Sequence, residues 1–169
     1  MTEQSLKRQV ERASADNLLA ALDIKELQFD HIGDDMGEPD IVYRINGRKI
    51  GIEVAQAYLD NKHAKYEWDF ARDIRKNFGV PHELQVNPSD KLCEFIKKVL
   101  DNKCTKSFEY SGVDETWLCI EGRNPSGDSS SIEKCVRQLH IKDNNFKHIY
   151  LLHLSPWHEG GQYKAFDLK

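Results

Sequence analysis

The sequence predicts a mixed α/β fold, a central sheet covered by helices, on three observations. Stretches of helical periodicity alternate with short β-rich runs in the order helix, strand, hairpin, helix, helix, strand, helix, strand. Asn46-Gly47 stands between two of those runs and supplies the positive-φ residues of a tight hairpin turn. Near the end, Ile149, Tyr150, Leu151 and Leu152 follow one another without a polar break, the mark of a strand buried on both faces.

Leu6, Val10, Ala13, Leu18, Ala21 and Leu22 form one apolar stripe and predict a helix over residues 4–22. Alternation over 26–30 predicts a strand, and 31–38 is a loop rich in Gly and Asp. Residues 40–45 and 48–55 are the hairpin strands. A charged helix with Tyr58, Tyr66, Trp68, Phe70 and Ile74 as its apolar material is predicted over 57–78, stopped by Gly79-Val80-Pro81. A linker with two prolines spans 79–89. The next helix, 90–103, carries Leu92, Phe95, Ile96, Val99 and Leu100. Residues 116–121 read as a strand and 124–131 as a polar loop. Ser130-Ser131-Ile132-Glu133 is a capping box that opens a short helix to about residue 140. The last strand covers 146–154, and the aromatic, Gly-rich tail over 155–164 stacks on a base or caps the sheet. No internal repeat occurs, so residues 1–169 read as a single domain.

Composition narrows the function classes. A chain of 169 residues with 7 Phe, 6 Tyr and 3 Trp builds a real core and is not a disordered protein. No run approaches the ~18 apolar residues of a membrane span, and the charged N-terminal stretch has no signal-peptide core, so the expected setting is cytoplasmic, with no membrane partner. Against 28 acidic residues stand 24 Lys and Arg, a net charge of −4 that argues against nucleic-acid binding by bulk electrostatics alone. Lys97, Lys98, Lys103 and Lys106, and separately Arg72, Arg75 and Lys76, are local basic patches, but the interleaved Asp69, Asp73, Glu94 and Asp101 favour solvated helix faces. Cys93, Cys104, Cys119 and Cys135 never come as C-x-x-C and are expected to be reduced, mostly buried thiols. Nucleotide-binding glycine loops, a nucleophile elbow and a convergent histidine set are all absent.

The chemistry concentrates in the hairpin. With Asn46-Gly47 as a two-residue turn, counting outward sets Ile45 against Arg48, Tyr43 against Ile50 and Ile41 against Ile52, and the last two pairs share the core face. One step further, Asp40 stands across from Glu53. Two ionised carboxylates about 5 Å apart repel by roughly 3 kcal/mol at an effective dielectric near 20. A divalent cation, a shared proton or a basic neighbour must offset this.

Glu38-Pro39-Asp40, followed after a strand and tight turn by Ile50-Gly51-Ile52-Glu53-Val54-Ala55, resembles the signature hairpin of the PD-(D/E)xK nuclease superfamily. The resemblance covers residues 5–78 and implies a restriction-endonuclease-like αβββαβ core. It further implies a Mg²⁺- or Mn²⁺-dependent endonuclease that hydrolyses phosphodiester bonds in DNA. By the same resemblance Asp40 and Glu53 are the metal ligands, the Val54 carbonyl a third, and an acid of the first helix, Glu11, a fourth.

One position departs from the pattern: the family's lysine, two residues after Glu53, is Ala55 here. Loss of one preorganised donor of this kind typically costs 10² to 10³ in rate. Lys49 stands about 20 Å along the strand from Ala55 and is too far. Gln56 is one candidate replacement, through a bulge at the strand end. Lys62, in the helix expected to begin at Ala57, is the preferred one. The missing lysine also supports an alternative, a catalytically degenerate nuclease-fold protein that binds nucleic acid or a partner, while the net charge supports a homodimer or partner subunit that completes the DNA surface.

Overall fold

A computed structural model describes residues 3–34, 37–58, 88–107, 109–122, 129–154 and 163–169. In chain order these form α1 (Glu3–Ala21), β1 (Leu27–Ile32), β2 (Ile41–Ile45), β3 (Arg48–Ala57), α2 (Pro88–Thr105), β4 (Glu115–Gly122), α3 (Ser129–Val136), β5 (His148–Leu154) and β6 (Tyr163–Asp167). The fold is mixed α/β, with a six-stranded sheet in the order β1-β2-β3-β4-β5-β6. β3, β4 and β5 run parallel, and the outer pairs are antiparallel.

The hairpin has the register that counting predicts, from Ile45↔Arg48 to Ile41↔Ile52. Its turn residues Asn46 and Gly47 have φ of 49° and 79°, the left-handed pair that a tight hairpin turn requires. β3 runs two residues beyond its predicted end, paired without a break from Ile50↔Glu115 to Ala57↔Gly122. The helix expected from Ala57 therefore does not begin there. The rest of that helix, with Lys62, and most of the 79–89 linker lie outside the described residues. Of the tail read as stacking on a base or capping the sheet, residues 155–162 lie outside the described residues, and Tyr163 and Lys164 open a sixth strand antiparallel to β5; α3 ends four residues before the predicted limit, at Val136.

Period-two alternation divides the core between the two faces of the sheet. On one face Ala15, Leu18 and Leu19 of α1 meet Tyr43, Ile50, Ile52, Val54, Cys119 and Leu152. On the other, Leu92, Ile96 and Leu100 of α2 and Ile132 of α3 meet Ala57, Leu118, Ile120, Ile149 and Leu151. Among the described residues no helix is long and apolar enough to cross a membrane.

The expectation of four reduced cysteines is corrected. Cys104 and Cys119 are buried free thiols, but Cys93 of α2 and Cys135 of α3 form a disulfide. Their 42-residue separation carries no spacing signal; the packing of the two helices brings the Cα atoms to 5.6 Å.

Two glycines seat the residue that precedes Asp40. A Cβ on Gly51 would stand 2.3 Å from Pro39 Cγ, and one on Gly33 would stand 1.9 Å from the Pro39 carbonyl oxygen. Gly33 also donates its N–H to the Asp40 carbonyl at 2.9 Å. Pro39 thus lies in a cradle that no larger residue permits, and its rigid ring sets where the chain enters β2. Gly51→Ala is expected to displace Pro39 and to cost about 1–3 kcal/mol of stability by overpacking, measured by urea unfolding.

Candidate active site

β2 begins at Ile41, so beyond Ile52 the edge of β3 has no backbone partner from β2. Asp40 fills the gap: the Val54 N–H donates to Asp40 Oδ2 at 2.8 Å. The N–H and C=O of one strand residue point to the same neighbour, so the Val54 carbonyl also faces this edge. Glu53 projects from the sheet face covered by α2, with its side chain 14% exposed. Three groups meet its carboxyl. Asp40 shares a hydrogen bond with it, the Tyr110 hydroxyl donates to Oε1, and Lys103 Nζ of α2 lies 3.8 Å from Oε2.

The electrostatics follow from that crowding. Burial, then the hydrogen bond and charge of Asp40, push the Glu53 carboxyl up to about 7, against the opposing pull of Lys103 and Tyr110. Without a cation, the pair relieves its repulsion by holding a proton. Burial and the neighbouring Glu53 raise the Tyr110 hydroxyl, which stays a protonated donor.

Glu11 stands on the α1 side, its side chain 12% exposed and 3.2 Å from Lys7. Burial and then the charge of Asp40 raise its carboxyl. With Lys7, Val10, Val54, Gln56 and Tyr58 it lines a cavity of about 260 Å³. Among the described residues no three His, Cys, Asp or Glu side chains gather closely enough to hold a metal ion. The close-set oxygen donors are therefore Asp40 and Glu53, with the Val54 carbonyl on the same edge. Two carboxylates with a backbone carbonyl fit Mg²⁺ or Mn²⁺, hard ions that take oxygen ligands and fill their remaining positions with water or phosphate.

The candidate replacements for the missing lysine are placed differently. Gln56 belongs to the same sheet face as Val54 and opens on the α1 cavity, away from Glu53. Its Oε1 accepts from the Tyr58 hydroxyl, and its buried Nε2 has no partner among the described residues. The unbroken β3–β4 register leaves no bulge to turn it across. Lys62 lies outside the described residues. Ala55, on the Glu53 face, is partly buried and packs against the α2 cluster.

Lys103 and Tyr110 are the site residues that sequence reasoning missed. Interleaved acids place Lys103 with the solvated lysines of its helix, yet Leu92, Ile96, Leu100 and Lys103 recur at four, four and three residues and form one stripe. A lysine that continues a buried stripe was the available signal. Tyr110, in the segment between α2 and β4, had none.

No protein-family model and no curated protein matches this chain. Among solved structures it is similar to Pyrococcus furiosus SfsA in complex with Ca²⁺, at 11% identity and a TM-score of 0.33. The match covers 97% of this chain and 62% of that one, so the chain spans about three fifths of SfsA's length.

The sign of the pH dependence is fixed by the raised Glu53 carboxyl. Its folded form holds a proton that the unfolded chain, near 4.5, releases earlier, so the contribution to stability is full below 4.5 and lost as pH rises through about 7. In chelator, wild-type stability is expected to fall between pH 5 and pH 8. Glu53→Gln removes most of that slope, a difference on the order of 3 kcal/mol, measured by urea unfolding at the two pH values.

Proposed function

We propose that this chain is a divalent-metal-dependent endonuclease that hydrolyses phosphodiester bonds in DNA, with Mg²⁺ or Mn²⁺ held by Asp40, Glu53 and the Val54 carbonyl. The observation that carries the proposal is the Asp40–Glu53 pair itself: two carboxylates held against each other at the open edge of a buried strand. Their mutual repulsion is of the kind that a divalent cation between the two carboxylates relieves. The hairpin's resemblance to the PD-(D/E)xK nucleases supports the same reading.

When bound, the cation supplies Lewis acidity toward the phosphate and acidifies a coordinated water. The protein's own part is orientation. Val54 N–H fixes Oδ2 of Asp40. Tyr110 holds Glu53 Oε1, which sets the plane of that carboxylate. Glu11, 12% exposed beside its Lys7 partner, adds negative charge on the far side of the β3 edge.

A second reading, a nuclease-fold protein that binds nucleic acid or a partner without cutting, is favoured by one observation: Ala55 occupies the motif lysine position and is packed under α2. One assay separates the two. Supercoiled and single-stranded DNA are incubated with the chain in Mg²⁺, Mn²⁺ and chelator, alongside Asp40→Asn and Glu53→Gln. Metal-dependent cutting that falls by at least 10² in either variant is expected. A folded wild-type chain that cuts under none of these conditions favours the binding reading.

A further inference from the structure

We infer that Lys103, delivered by the last turn of α2, is the phosphate-directed cation that the β3 strand lacks at Ala55. The inference rests on the phosphodiesterase reading above and identifies a further residue of that site.

Four observations converge on it. Lys103 approaches Glu53 on the sheet face to which Ala55 also belongs, the face covered by α2. Its stem rises along the buried stripe of Leu92, Ile96 and Leu100, which limits the directions the ammonium takes, and its side chain is 31% exposed. The group therefore meets both the Glu53 carboxylate and solvent, and a phosphate reaching the carboxylate pair from solvent can meet it. At 3.8 Å the Nζ–Oε2 approach to Glu53 is an ion pair longer than a hydrogen bond, so the ammonium's donors are not consumed by the carboxylate. Finally, Lys103 stands in the last turn of its helix, where the helix dipole favours a positive charge.

The placement of α2 is itself secured. Ile96 reaches Gly122 of β4, where an added Cβ would stand 3.6 Å from Ile96 Cδ1, and the Cys93–Cys135 disulfide ties the helix to α3. The apolar side of this braced helix packs against Ala55, so the helix beside the vacant lysine position is the one that presents Lys103.

In the reaction, the oxygen of a water forms a bond to phosphorus as the bond from phosphorus to the departing sugar oxygen breaks. The water's proton passes to solvent, and the departing oxygen takes one from solvent. Lys103 remains an ammonium throughout. It donates to a non-bridging phosphate oxygen, on which negative charge accumulates as the new bond forms.

The test compares wild type, Lys103→Met, Lys103→Gln, Lys103→Arg, Lys103→Ala and Glu53→Gln for cleavage of supercoiled DNA in Mn²⁺, with a circular dichroism spectrum of each. Lys103→Met and Lys103→Gln are expected to lose 10² to 10³ in kcat, Lys103→Arg to retain an intermediate rate, and ethylamine to restore part of the activity of Lys103→Ala. A second readout needs no turnover. Removing a cation next to Glu53 is expected to tighten Mn²⁺ binding roughly tenfold, measured by calorimetry without DNA. A lysine that merely braces the site would weaken it. Cutting within threefold of wild type by Lys103→Met, when Glu53→Gln is inactive, overturns the lysine assignment and leaves the phosphodiesterase reading standing. Weakened Mn²⁺ binding in that variant overturns the assignment too. A wild-type chain that does not cut overturns both.

Discussion

The enforced approach of two carboxylates, Asp40 and Glu53, organises the rest of this structure. Like charges at hairpin spacing cost a few kcal/mol, and half-burial adds a desolvation penalty that water no longer offsets. Each neighbouring feature bears on that cost. The Val54 N–H stabilises one carboxylate, Tyr110 the other, and Lys103 contributes a positive charge from outside the hairpin. What remains raises the Glu53 carboxyl, so that a proton relieves it.

Such a pair forms only if the backbone holds it in place, and the fold does this with few parts. The Asn46-Gly47 turn sets the register, which brings residues 40 and 53 opposite each other. Gly33 and Gly51 seat Pro39, which fixes the chain entering β2. The first core, with α1 packed on Tyr43, Ile50 and Ile52, anchors the hairpin from one side. The second, with α2 packed on Leu118 and Ile120, closes the other and carries Lys103 to the site. The residues of the site thus come from four places in the chain, joined by the two faces of one sheet.

Much of this was legible beforehand because it is local. Strand alternation and a two-residue turn leave one register, so Asp40, Glu53 and the core-facing Ile41, Tyr43, Ile50 and Ile52 could be named by counting. α1 and α2 were readable from their stripes. β6 was passed over because Tyr163–Asp167 is five residues with a mixed polar pattern, and a strand that short is recognised by its partner β5. The disulfide was passed over for a related reason: Cys93 and Cys135 carry no spacing signal and meet because α2 packs on α3. Gln56 was considered for the Glu53 side on the premise of a bulge, and continuous pairing with β4 as far as Ala57 keeps it on the other face.

By itself the sequence determined the mixed α/β class, the hairpin register and the opposed carboxylates, since these depend on interactions within a few residues along the chain. The tertiary structure alone decided how that pair is served: by a lysine 50 positions further on in α2, by Tyr110 beyond it, and by an Ala55 already covered by the same helix. The reason is physical. Contacts across a sheet face depend on where a helix docks, and docking is set by the summed burial of both partners, which no single stretch of sequence contains.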